Sequence, residues 1–144
     1  MVPHIHYKDG YRYQLVECYI HQLGFDTGTT IQHDFFWING THLMVYQKYA
    51  WDGPSGPTID TDSFMRGALV HDVMYQAMRE GLLSHDFRPL VDEELVRICK
   101  EDGMNAFRRW YVELLIKRFG NEAIEGGVKP ILTAPKPKNK LMSV

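Results

Sequence analysis

At 144 residues the chain is long enough for one domain with a real core and too short for two. Its composition, 44% hydrophobic and 24% charged, is that of an ordinary globular protein. A net charge of -2 supplies no basic field, which argues against nucleic acid as a partner. Two cysteines, Cys18 and Cys99, are too few for a disulfide scaffold. Both fall inside predicted elements, so both are expected to be free and buried. The start, Met1-Val2-Pro3-His4, has neither the positive cluster nor the apolar run of a signal peptide. Nowhere do eighteen apolar residues follow one another. The expected setting is therefore a reducing cytoplasm, or a particle assembled there.

The first half reads as strands. The run from Tyr11 to Ile20 is aromatic and β-branched with partial alternation, as in a half-buried strand. Gly24, Gly28 and Thr29-Thr30 mark a loop. A second run, Ile31 to Ile38, meets a third, His42 to Tyr49, across Asn39-Gly40. That dipeptide predicts a type I′ hairpin.

The second half reads as helices. Thr61, Asp62 and Ser63 offer capping oxygens and Gly81 a C′ residue, predicting a helix over 63–80. Pro89 and the Asp92-Glu93-Glu94 run open a second helix, closed by Gly103, with the acids at the positive end of its dipole. A third is expected from Asn105 to Phe119, ended by Gly120, with Phe107, Trp110, Leu114 and Leu115 on one face. The fold class expected is α+β, an N-terminal antiparallel hairpin or meander followed by a three-helix bundle. Residues 1–120 form the domain, and 121–144, with Pro135, Pro137 and three alternating lysines, an extended basic tail.

Chemistry-bearing residues concentrate in two places. The stretch Tyr49-Ala50-Trp51-Asp52-Gly53-Pro54-Ser55-Gly56-Pro57 is a rigid turn able to aim backbone groups inward. Oxygen donors from such a loop plus a carboxylate suit a hard cation such as Ca²⁺. On the first helix, His71 projects from a stripe of Phe64, Gly67, Ala68, Met74, Tyr75 and Met78, with Asp72 on the adjoining edge. On the second, Asp92 shares a stripe with Leu95, Val96 and Cys99, while Glu93, Glu94, Arg97 and Lys100 take the outer face. A His and two Asp at core-facing edges are costly unless they pair or bind something. Taken singly, each also fits a plain role: His71 a hydrogen-bonded core residue, Asp92 a dipole residue, the loop a connector.

This pattern, a glycine-rich loop with an aromatic before it, His-Asp-x-x-Tyr on a helix and an Asp on the next, resembles the phospholipase A2 superfamily. The form in parvovirus capsid proteins is closest in style. The resemblance implies His71 as general base, Asp92 as the residue orienting it, Tyr75 as support, and Ca²⁺ on Asp72 with Tyr49, Gly53 and Gly56. Its loop glycines stand three apart here and two apart in that superfamily. Over 11–120 the chain also resembles a tailed-phage family of unassigned function, through Trp51-Asp52-Gly53-Pro54-Ser55-Gly56-Pro57, Leu69-Val70-His71-Asp72 and Glu101-Asp102-Gly103-Met104. That likeness implies a virion or assembly protein, made in host cytoplasm, with phage structural proteins or its own copies as partners. The first adds a phospholipid surface. Three His-Asp pairs, His33-Asp34, His71-Asp72 and His85-Asp86, also raise a metal phosphohydrolase reading, but such sites need an all-helical core and His33 falls in a predicted strand.

Overall fold

The computed structural model describes residues 4, 5, 7, 8, 13–51 and 62–125. Seven short strands precede three helices, an α+β architecture. Strands β1 (Tyr7–Lys8), β2 (Tyr13–Leu15) and β7 (Ala50–Trp51) form one antiparallel sheet in the order β1-β2-β7. Strands β3 (Tyr19–Gln22), β4 (Thr30–Gln32), β5 (Phe36–Asn39) and β6 (His42–Val45) form a second, ordered β3-β6-β5-β4. Alternation sends Tyr19, His21, Ile31, Phe36, Ile38, Leu43 and Val45 to the covered face of the second sheet.

Two expected strands are each broken in two. The run 11–20 stops after Leu15, because Leu15 pairs with the bend at Lys48-Tyr49 and the chain must then cross between sheets. Val16, Glu17 and Cys18 form that exposed corner, so Cys18 is free and exposed, not buried. The run 31–38 turns back at His33. The His33 amide donates to the Phe36 carbonyl, and His33 Nδ1 accepts from the Phe35 amide, closing a hairpin between β4 and β5. The β5–β6 hairpin is present, but its two central residues are Gly40 and Thr41, and of these Gly40 alone has a positive φ, +60°. A glycine at the first central position is the type II′ pattern, not I′.

The helices are α1 (Asp62–Arg79), α2 (Arg88–Glu101, after a 3₁₀ turn at His85–Phe87) and α3 (Ala106–Glu125). Gly81 closes α1: its φ is +77°, its amide donates to Met78 O, and the Leu82 amide donates to Ala77 O. Gly103 closes α2 in the same way, through Lys100 O and Cys99 O. Gly120 does not close α3, which runs on to Glu125; an interior glycine costs about 1 kcal/mol but does not end a packed helix. The helix thus continues into the segment expected as tail, and residues 126–144 lie outside the described residues.

Helix α1 lies at the centre. Leu69, Val73, Met74, Ala77 and Met78 pack with the strands, while Phe64 and Ala68 pack on its other side with Leu95, Cys99, Met104 and Val112. The third helix meets that second cluster through Val112 and Ile116. Its expected packing face is instead turned outward, with Phe107 72% and Trp110 57% exposed. No described helix is long and apolar enough to cross a membrane.

Helices α1 and α2 approach each other closely at Gly67. A Cβ there would stand 2.6 Å from Leu95 Cδ1 and 3.3 Å from both Cys99 Sγ and the Leu95 carbonyl oxygen. Gly67→Ala should gain about 1 kcal/mol of helix propensity and lose about 1–3 kcal/mol to overpacking. The expected net result is a melting temperature a few degrees lower; a variant that melts higher would show that the two helices yield freely at this point.

Candidate functional site

The α1–α2 interface brings His71, Tyr75 and Asp92 together. Both ring-bearing residues project from one face of α1, a turn apart, with centroids 4.0 Å apart. His71 Nε2 lies 2.9 Å from Asp92 Oδ1, and the Tyr75 hydroxyl donates to the same oxygen at 2.6 Å. Arg88, one turn before Asp92, holds its Nε 3.7 Å from Oδ2, a charge contact. Burial first, then the hydrogen bond and charge of Asp92, hold the Tyr75 hydroxyl far above its ordinary pKa. Tyr75 is therefore a donor at every working pH and never the base. An ionised Asp92 can only accept, so the proton on His71 sits on Nε2. No described residue hydrogen-bonds its Nδ1.

Of the expected metal ligands, Tyr49 and Asp72 lie among the described residues. Tyr49 is buried, its hydroxyl donates to Gln76 Oε1 at 2.8 Å, and its carbonyl accepts from the Leu15 amide at 2.9 Å. Both Tyr49 oxygens thus already take part in hydrogen bonds of the fold. Gly53 and Gly56 lie outside the described residues. Asp72, half-buried on α1, is the one expected ligand whose carboxylate remains a candidate. Among the described residues no three His, Cys, Asp or Glu converge as a metal-binding group. The three His-Asp pairs do not meet: Asp34 and Asp86 are exposed, and His33 and His85 bond Glu80 and the Met78 carbonyl.

A second polar cluster escapes a reading by periodicity. Helix α2 begins at Arg88, so Asp92 and Glu94 sit beyond its first turn and neither serves the dipole. Glu94, expected outside, is buried and faces His21 across the β3–α2 boundary, Nε2 to Oε2 at 2.7 Å. Its other oxygen accepts from the Gly24 amide and from Arg97 Nε. His21 Nδ1 meets the Tyr19 hydroxyl at 2.8 Å, which in turn accepts from Arg66 Nη1 at 2.8 Å. Buried Arg66 also pairs with Asp102 and Glu101. A signal for this network in the sequence was Arg66, a guanidinium among the apolar residues of the second turn of α1. Burial, the largest influence on Cys99, pushes its thiol up to about 12, so that sulfur is an inert core atom.

Among the described residues three imidazoles thus contact carboxylates: His21 with Glu94, His33 with Glu80, and His71 with Asp92. In the first two the remaining ring nitrogen is bonded, to Tyr19 and to the Phe35 amide. Of these three, His71 alone keeps a ring nitrogen with no hydrogen bond to a described residue. Its side chain is 13% exposed against 4% for His21.

No family model, curated protein or solved structure matches the chain.

Glu94 generates a pH prediction. Burial alone would raise its pKa, but hydrogen bonds from His21 and Arg97 and the Arg97 charge outweigh it and hold the group at about 2, against an ordinary 4.5. A depressed folded pKa contributes stability that is full above 4.5 and is lost as pH falls through about 2. The contribution is on the order of 3 kcal/mol. Urea midpoints should fall between pH 4.5 and 2.5, and Glu94→Gln should be less stable at pH 7 with a flatter acid limb. Parallel acid limbs in the two proteins would mean that other carboxylates carry the loss.

Proposed function

We propose that this chain is a tailed-phage virion or assembly protein carrying a phospholipase A2-like site, in which His71 is the general base for hydrolysis of phospholipid acyl esters. One observation carries the catalytic part: of the three imidazole–carboxylate pairs among the described residues, that of His71 alone retains a ring nitrogen with no hydrogen bond to a described residue. The phage part rests on the likeness of the loop, His-Asp and Glu-Asp-Gly-Met segments to a tailed-phage family.

In the reaction, His71 Nδ1 takes a proton from water as the water oxygen bonds to the acyl carbonyl carbon. Asp92 stabilises the imidazolium that forms, and the Tyr75 hydroxyl holds Asp92 in place through its hydrogen bond to Oδ1. The tetrahedral intermediate expels the glycerol-side oxygen, which takes the proton back from Nδ1, leaving a fatty acid and a lysophospholipid. A Ca²⁺ bound at Asp72 would polarise the ester carbonyl. A virion protein with this activity has two contacts to make, its neighbours in the particle and a phospholipid surface. The observation favouring a purely structural role is that Asp92 is already satisfied by His71 and Tyr75, and the mutant below separates the two readings.

Purified protein incubated with mixed phospholipid vesicles and Ca²⁺ should release fatty acid, and a wild-type protein that releases none removes the enzymatic reading. His71→Gln should keep its melting temperature and lose turnover by a factor on the order of 10² or more. A structural His71 would show the opposite, a loss of about 1–3 kcal/mol in stability for a buried partner left unpaired.

Calcium is tested separately from turnover. Millimolar Ca²⁺ should raise the melting temperature by mass action, and Asp72→Asn should abolish the rise. An unchanged wild-type melting curve rejects the ion while leaving His71 as base.

A further inference from the structure

Helix α3 packs on the domain by one side. Its Val112 and Ile116 join the cluster that holds Leu95 and Ala68, the latter one turn before His71. Trp110 and Leu114 stand two residues either side of Val112, about 200° round the helix, and Phe107 shares their side. Phe107, Trp110 and Leu114 are 72%, 57% and 46% exposed, and the two aromatic rings lie 6.0 Å apart. We propose that this outer face of α3 is where the protein docks on an anionic phospholipid surface. Its bearing on catalysis rests on the proposed hydrolysis at His71; the docking itself does not.

Three large apolar side chains gathered on one helix face differ from the scattered exposure that any surface shows. Size selects the kind of partner. Together they offer roughly 350 Å² of apolar surface, well short of the roughly 800 Å² per partner that a stable protein interface buries. A bilayer needs no matching surface. A helix lying in its interface buries a narrow apolar stripe and keeps its polar sides among the headgroups. Trp110 suits that level, with an apolar ring body and a single N–H donor. Charge selects the lipid. Arg108, Arg109, Lys117 and Arg118 lie in the first part of α3, with Glu113 the one acid between Ala106 and Arg118. Lys117 stands 3.6 Å from Glu113, but an exposed pair of this kind is weak and yields to a phosphate. The acids just before the helix, Glu101 and Asp102, are held by buried Arg66. The chain's net charge of -2 does not oppose the contact. In salt of about 0.1 M, charges beyond about 10 Å are screened, so the local set decides.

The experiment is co-sedimentation of the full chain with vesicles of ether-linked phospholipid, which has no acyl ester to cleave. Wild type should bind vesicles containing phosphatidylglycerol, bind phosphatidylcholine vesicles more weakly, and lose affinity as NaCl is raised. Phe107→Ser with Trp110→Ser should weaken binding to the anionic vesicles by a factor on the order of 10–10². Its melting temperature should stay that of wild type, because both side chains are exposed. Trp110→Phe should still bind, yet lose most of the blue shift in tryptophan emission that vesicles cause in wild type, since Trp51 is buried and Trp37 half-buried. A wild type that binds neither vesicle overturns the proposal, as does equal affinity for both. A double variant that folds and binds like wild type overturns it too; should that variant not fold, an undiminished blue shift in Trp110→Phe does the same. A lipid-free dimer that the double variant dissolves would give the face to a second copy and overturn it as well. Binding without release of fatty acid from ester vesicles rejects only the enzymatic reading, and release without binding through this face rejects only the docking.

Discussion

Everything in this structure follows from one helix being covered on both sides. Strands pack along one flank of α1, and α2 and α3 along the other, so that Phe64 through Val70 and Val73 through Met78 are all buried. Such a helix leaves its polar side chains no route to bulk water, and an unsatisfied polar group there costs several kcal/mol. Each must find a partner on a neighbouring element. Arg66 finds Tyr19 on β3 and the acids after α2; Tyr75 and half-buried His71 find Asp92 on α2; Gln76 finds Tyr49 before β7, and Glu80 beyond the end of α1. Packing brings the elements together, and these partners fix the register in which they meet.

The two clusters of histidine, tyrosine and carboxylate show how similar parts give different outcomes. Around Arg66, the tyrosine hydroxyl bonds the imidazole, and the imidazole bonds the carboxylate, so both nitrogens of His21 are consumed. Around Asp92, the Tyr75 hydroxyl bypasses the imidazole and reaches the carboxylate directly. His71 and Tyr75 therefore share an oxygen, and the imidazole is bonded at one end only. The first wiring makes a closed structural joint between β3 and α2. The second leaves a lone pair at a position with some access to solvent, the arrangement a general base requires.

What could be read from the sequence was whatever depends on near neighbours. The glycine stops of α1 and α2 were legible because a C′ glycine is a local requirement, and the pairing of His71 with Asp92 because two helical stripes had to share an interface. Strand breaks at Val16–Cys18 and His33–Phe35 were not, because each is decided by a bend elsewhere in the chain or by a side chain standing in for a turn acceptor. Glu94 was misplaced for the same reason. Its helical position reads as outer, and only His21, 73 residues earlier, turns that side into an interior. The outer face of α3 was misjudged because this helix has apolar residues on opposite faces, and periodicity does not say which of them meets the domain.

The chemistry of the site is finally a matter of packing tolerance. His71 stands one turn after Gly67 on α1, and Asp92 one turn before Leu95 and Val96 on α2, so the distance between them is set by how closely those helices approach. That approach is limited at Gly67, where even one added methyl group would meet Leu95 and Cys99. Interiors packed at this density transmit a displacement along rigid helices instead of absorbing it locally. A displacement of a few tenths of an ångström at Gly67 therefore reaches the 2.9 Å hydrogen bond of the dyad, in a class of interaction where a misplacement of about 1 Å can cost on the order of 10² in rate. The glycine that looks like a concession to tight packing is thus also what lets α1 deliver its imidazole to Asp92.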